Sequence, residues 1–149
     1  MKISTKGRYG LRAMVDIAVN SSGDHVALNS IAERQNISEN YLEQVFSILR
    51  KAGLVRSVKG AQGGYIIANS ISNTTVGDIL RVLEGELTVV DENDESAKRE
   101  EKTIENLLST KVWKKINQSV NEVVNNITLE DIVEEYEKLN GDQALMFYI

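Results

Sequence analysis

Few residues in this chain could make or break a covalent bond. The 149 residues contain no cysteine and a single histidine, His25. Disulfides, thiolate catalysis, zinc–cysteine sites and cysteine-ligated iron–sulfur clusters all require sulfur and are excluded. One imidazole cannot build a multi-histidine metal site, so no metal and no resident cofactor are expected. Carboxylates gather at Asp91-Glu92-Asn93-Asp94-Glu95, but a run of like charges with no base or nucleophile beside it is a solvated stretch. No enzyme is expected from this inventory. The remaining polar residues are suited to recognition. Ser38-Glu39-Asn40-Tyr41 and Glu43-Gln44 crowd hydroxyl, carboxylate and amide groups into two turns, and Arg50, Lys51, Arg56 and Lys59 follow as cations. A glutamine can pair with adenine through two hydrogen bonds, a glutamate can accept from the cytosine amino group, and serine and tyrosine hydroxyls suit phosphate oxygens. Lys59 opens into Gly60-Ala61-Gln62-Gly63-Gly64, glycines that allow close approach and could carry the lysine toward a minor groove. No strand-to-helix phosphate loop follows them, which argues against a nucleotide site.

These groups need a frame, and the periodicity supplies one. Leu11, Met14, Val15 and Ala18 recur at i, i+3, i+4 and i+7, predicting a helix from about Lys6 to Asn20 that Ser21-Ser22-Gly23-Asp24 stops. A short helix over Asn29 to Gln35 comes next, then a tight break at Asn36-Ile37-Ser38. Ser38 is a good N-cap for a helix from Glu39 to Ala52 that buries Leu42, Val45, Phe46 and Leu49, with Gly53 beyond its end. Leu54 to Val58 and Tyr65 to Ala68 are β-rich runs flanking the glycine-rich tip, hence a hairpin. Thr75-Val76-Gly77-Asp78 reads as a capping box for a helix carrying Val76, Ile79, Leu80 and Leu83 to Gly85. Residues 86–109 are expected to be an acidic linker. Beyond it Trp113, Ile116, Val120, Val123 and Ile127 step by threes and fours, one narrow apolar seam suited to a helical partner. A last helix is expected from Thr128 to about Leu139, ended by Gly141 and followed by the apolar tail Ala144 to Ile149.

The result is a mainly α chain with a small β-hairpin. Helix, tight turn, helix and hairpin is the order of a winged helix-turn-helix, in which the second helix of the pair places its N-terminal residues in the major groove. Charge agrees with that division. Residues 1–84 hold 10 Lys+Arg against 7 Asp+Glu and residues 85–149 hold 7 against 15, so a head of +3 and an arm of −8 make up the net −5. Singly, each feature has a plainer reading: Gly63-Gly64 as a turn, Glu43 and Gln44 as solvated residues, Trp113 as a packing anchor, His25 as an ordinary loop histidine. A winged helix that binds another protein is the rival within this fold, and the basic head favours DNA over it. No apolar run reaches the roughly 18 residues of a membrane span, and Arg12 and Asp16 interrupt the stretch after the basic start, so no secretory segment is expected. The expected location is cytoplasmic, away from membranes.

Four motifs in this order resemble one bacterial family. Ile3-Ser4-Thr5-Lys6-Gly7-Arg8-Tyr9-Gly10, Ile37 to Gln44, Leu49-Arg50-Lys51-Ala52-Gly53-Leu54-Val55 and Gly60-Ala61-Gln62-Gly63-Gly64-Tyr65 are similar to the Rrf2 family of transcriptional regulators, with Asn125-Asn126-Ile127-Thr128-Leu129 extending the likeness along the chain. The resemblance implies a homodimer with winged heads on double-stranded operator DNA, joined through a long crossed helix, here the Trp113, Ile116, Val120, Val123 and Ile127 seam. It implies that Glu43, Gln44 and the wing base at Lys59 read DNA. Together with Thr5, Lys6, Arg8, Ser38, Glu39, Asn40, Tyr41, Arg50, Lys51, Arg56 and Gly60 they form the candidate contact set. Two branches of the family fit. One regulates iron–sulfur cluster genes and carries three cysteines before the dimerisation helix; this chain has Asp91, Glu95, Ala97, Glu101, Thr103 and Leu107 in that segment, which implies a cluster-free form. The other represses cysteine metabolism under control of cysteine synthase, and the tail Met146-Phe147-Tyr148-Ile149 resembles that branch, implying the enzyme as a partner captured through this tail.

Overall fold

A computed structural model describes residues 1–90 and 102–148. Asp91, Glu95, Ala97 and Glu101 lie outside the described residues, as do Ile149 and the side chains of Met146, Phe147 and Tyr148. Three helices form the first layer: α1 (Thr5–Asn20), α2 (Leu28–Gln35) and α3 (Glu39–Lys51). The break between α2 and α3 is closed by Asn36, which takes the left-handed conformation at φ 53 and donates its backbone N–H to the last turn of α2. Asparagine is one of the few residues with a side chain that enter that region readily, so the turn needs no glycine. Ser38 then caps α3, its hydroxyl accepting from the Tyr41 N–H at 3.4 Å. Strand β1 (Val55–Val58) pairs antiparallel with β2 (Gly64–Ile67), in register from Val55↔Ile67 to Val58↔Gly64. Helix α4 (Val76–Glu84) starts at the predicted capping box, with Thr75 and Asp78 bonded reciprocally at 3.0 Å each.

One core serves all these elements. Ala13, Met14 and Ile17 from α1, Ile31 from α2, Leu42, Val45, Phe46 and Leu49 from α3, Val55 and Ile67 from the hairpin and Ile79 and Leu83 from α4 are buried together. Gly10 lets α1 and α4 meet closely, since a Cβ there would stand 2.2 Å from Leu83 Cδ1.

The C-terminal half departs from expectation in three places. The stretch assigned to a linker contains a buried anchor, Leu87, and the helix α5 (Ile104–Leu108), which passes through a single π-helical turn at Ser109–Trp113 into α6 (Lys114–Asn125). Helix α7 does not end at Gly141; it runs Leu129–Tyr148, because a glycine inside a helix lowers its stability without forcing a stop. The apolar seam is divided. At 100° per residue Asn117, Val120, Asn121 and Val124 share one face of α6, and Val120, Val124 and Ile127 pack on Val76, Leu80 and Leu87 of the same chain. Ile127 lies beyond α6, where its carbonyl accepts from the Val76 N–H at 2.8 Å. Ile116 and Val123 lie to one side of this face, 39% and 59% exposed.

Candidate nucleic-acid interface

The buried side of α3 sets which of its residues face out. With Leu42, Val45, Phe46 and Leu49 in the core, Glu39, Asn40, Glu43 and Gln44 are exposed along the N-terminal half of the helix. Tyr41 is half-buried and meets the Tyr9 ring edge-on, centroids 6.0 Å apart. The Arg12 guanidinium lies 4.9 Å over Tyr9 and donates to the Gln35 carbonyl at 3.3 Å. Through these rings the start of α1, with exposed Thr5, Lys6 and Arg8, is tied to the start of α3. Arg8 also donates to the Thr5 hydroxyl at 3.3 Å. Ser38 is exposed at the tip. The geometry therefore gathers Thr5, Lys6, Arg8, Ser38, Glu39, Asn40, Tyr41, Glu43 and Gln44 at one end of the head.

Arg50 and Lys51 stand elsewhere. They occupy the last turn of α3, about 18 Å along the axis from Ser38, where positive charge complements the helix C-terminus. Arg56 on β1 and Lys59 and Gly60 at the hairpin tip are exposed on the wing. The wing glycines differ in purpose. Gly60 adopts φ 118 with open space around it. Gly63 and Gly64 are required by the chain's own backbone, because a Cβ would come 2.2 Å from the Val58 carbonyl oxygen at Gly63 and 2.2 Å from the Val26 carbonyl oxygen at Gly64. The close approach inferred from the sequence is thus made, at these two positions, to protein.

That packing adds a third rung to the wing. Val26 and Tyr65 exchange backbone hydrogen bonds of 2.9 Å each, and the Tyr65 ring stacks on Phe46 of α3 at 4.6 Å. The wing is thereby fixed to α3.

Two polar clusters that support the site were not singled out from the sequence. Asp16, only 3% exposed, accepts from Arg34 Nε at 3.0 Å, Arg34 Nη2 at 2.8 Å and Gln35 Nε2 at 2.8 Å, joining α1 to the end of α2. The hydrogen bonds to Asp16 raise the Arg34 pKa above its ordinary value. The available signal was a carboxylate between Ala13 and Ile17 on the buried face of α1. At the other end of α1, Glu84 accepts from the Ser4 N–H at 3.1 Å, the Gly7 N–H at 3.0 Å and the Ser4 hydroxyl, holding the helix start against α4. Gly7 leaves room for that carboxylate. His25 also does more than sit in a loop: Nδ1 lies 2.8 Å from the Asp24 carboxylate and Nε2 is hydrogen-bonded to the Gln62 carbonyl on the wing. The His25 backbone N–H and then its ring hold the Asp24 carboxyl below the ordinary carboxylate range.

The arm is attached to the head by a further polar set. Asn117 is buried and accepts from the Val89 N–H at 2.7 Å, and Asn121 accepts from Arg81 at 2.6 Å while donating to the Leu87 carbonyl at 3.2 Å. Of the five seam residues, Val120 and Ile127 serve this internal junction, Trp113 is half-buried, and Ile116 and Val123 face outward with Ile104, Leu107 and Leu108. Among the described residues no group of histidines and carboxylates could hold a metal ion, and no helix is long and apolar enough to cross a membrane.

This arrangement has known counterparts. The profile of the Rrf2 family, described as an iron-dependent transcriptional regulator, matches residues 3–135. The transcriptional regulator CymR of Bacillus subtilis is 45% identical over the full length of both chains. IscR of Escherichia coli is 38% identical, covering 94% of this chain and 85% of its own. Among solved structures, that of B. subtilis CymR, described as a global cysteine regulator, superposes with a TM-score of 0.72 at 44% identity, covering 91% of this chain and 98% of its own. T. potens IscR gives 0.73 at 45% identity, covering 93% and 90%.

Proposed function

Because the chain belongs to the Rrf2 family and is, like its relatives, a DNA-binding transcriptional regulator rather than an enzyme, we propose that it is a dimeric repressor of cysteine and sulfur metabolism genes that works without an iron–sulfur cluster. The similarity to a cysteine regulator over the whole of both chains carries this reading. The donor set supports it. A cluster needs about four soft or imidazole ligands, and this chain has no thiol and one histidine, which is held at the wing. Thr103 stands in the segment where cluster-binding relatives carry cysteines, and its hydroxyl caps α5 by accepting from the Asn106 N–H at 3.1 Å. The residues present do not fit that cofactor.

In the proposed complex Glu43 and Gln44 read base edges from the first turns of α3, with Asn40 beside them. Thr5, Lys6, Arg8 and Ser38 hold the phosphates around that contact, and Arg56, Lys59 and Gly60 follow the backbone into the next groove. Tyr41 acts from its packed position on Tyr9. Glu43 works as a filter, since a carboxylate among phosphates is repelled unless a cytosine amino group meets it. Ile104, Leu107, Leu108, Ile116 and Val123 form the dimer face, leaving Val120 and Ile127 to the chain's own head. Two inverted half-sites on one face of the duplex, one helical turn or a multiple of it apart, follow from that symmetry. The tail through Ile149 is proposed to dock on cysteine synthase, its terminal carboxylate held by backbone N–H groups.

Mapping bound promoter fragments, with a salt titration on each, tests the whole reading. Sites upstream of cysteine and sulfur genes, with a steep negative log–log salt slope, are expected from colourless protein. Occupancy confined to iron–sulfur assembly genes would transfer the chain to the second reading, which the likeness to T. potens IscR favours. Glu43→Ala should broaden the bound sequences at equal or better affinity, and Lys59→Ala should weaken all sites and flatten the slope by about one unit. Deleting Ile149 should abolish cysteine synthase binding while leaving dimerisation unchanged.

A further inference from the structure

We infer that His25 is a positioning residue for the wing, acting as a protonation-dependent clamp that couples wing placement, and through it DNA affinity, to pH. The inference rests on the wing contacting DNA, as proposed above.

Its two ring nitrogens meet two oxygens that can only accept. Nδ1 lies 2.8 Å from Asp24 Oδ1, an ionised carboxylate, and Nε2 is bonded to the backbone carbonyl of Gln62. A neutral imidazole in either tautomer brings one N–H, so one nitrogen lone pair would face an oxygen lone pair. The imidazolium brings two N–H groups and satisfies both. Gln62 lies between Gly60 and Gly63, at the part of the wing that carries no other described side-chain tie to the head. Val26, next in sequence to His25, makes the backbone rung to Tyr65. The ring thus extends that rung from the strand to the tip.

Other titratable groups near the clamp do not replace it. Asp24, on the same loop, is the charged side chain in contact with the ring. On the wing, Lys59 is exposed at the hairpin tip and Tyr65 is stacked on Phe46. The chain has no second histidine, so His25→Gln leaves no other imidazole to stand in for it. The sign is fixed by linkage: if the clamped wing binds DNA better, protonation and DNA binding reinforce each other, and affinity rises as pH falls through the histidine range.

Two measurements on the full-length protein decide it. In fluorescence anisotropy on a duplex at constant salt, affinity should rise about threefold from pH 8 to pH 6, and His25→Gln should remove that slope. Asp24→Asn, which takes away the anionic partner, should move the rise to lower pH. Without DNA, the backbone amide resonances of Gly60 and Gly63 should shift with the same midpoint as the His25 ring in an NMR titration, and stay still in His25→Gln. A wild-type affinity independent of pH, or the same slope in both proteins, overturns the coupling to DNA while leaving the DNA-binding reading intact. Failure to bind any duplex overturns that reading and the coupling with it. Glycine amides that ignore the ring titration overturn the clamp itself.

Discussion

Cutting the Asp16–Arg34 pair from either side should cost unequal amounts of stability. Asp16 is 3% exposed and receives three hydrogen bonds, two from Arg34 and one from Gln35, whereas the Arg34 side chain is 40% exposed. Arg34→Ala leaves a carboxylate in the core with a single amide partner, a change that costs about 3–5 kcal/mol when a buried charge loses its counter-ion. Asp16→Ala leaves a guanidinium already in reach of water, so its charge is rehydrated. What remains is the loss of charge-assisted hydrogen bonds, discounted for that exposure, and of a few buried atoms, together about 2 kcal/mol. The double variant should lie near Asp16→Ala alone, since the stranded charge is gone. Urea unfolding at one fixed protein concentration, followed by far-UV circular dichroism, measures all three; fixed concentration matters because a dimer's stability depends on it. Operator affinity should fall with the single variants as well, because the pair holds α2, and through the Asn36 turn the start of α3, against α1. Equal costs for the two single variants, or a larger one for Asp16→Ala, would show that the charge is not what this cluster stabilises.

Gly64→Ala should cost about 2 kcal/mol and detach the wing, because the added methyl meets the Val26 carbonyl and the Ala27 nitrogen, both backbone atoms; loss of protection at the Val26 and Tyr65 amides in hydrogen exchange is the readout. Gly141→Ala, in open space inside α7, should stabilise the helix by about 0.5–1 kcal/mol, seen as a higher Tm. Val123→Asp should give folded monomers by sedimentation equilibrium, whereas Val120→Asp should lower the Tm as well, because Val120 packs on the α4 cluster of its own chain. Monomers of undiminished stability from both variants would mean that the seam acts as one face after all.

How much of this was legible in the sequence depended on how far apart the causes lie. Caps, turns and periodicity are set by neighbours within about four residues, which is why Ser38, the Thr75–Asp78 box and the Asn36 break all appear where the residue types put them. The exposed stripe of α3 follows in the same way from Leu42, Val45, Phe46 and Leu49, since choosing the buried face chooses the other. Family membership was legible too, because it rests on strings of residues. What depended on distant partners was not. Asp16 looked like an interruption of an apolar stretch until Arg34 and Gln35 were brought to it, and His25 looked like a loop residue until the hairpin brought Gln62 within reach. Gly63 and Gly64 could be read as a turn because the carbonyls that exclude a side chain come from Val58 and, 38 positions away from Gly64, Val26. The seam shows the limit most clearly. A three-four spacing fixes one face of a helix, but which neighbour covers each part of that face is decided by assembly: the same chain's α4 takes Val120, and Val123 is left outward.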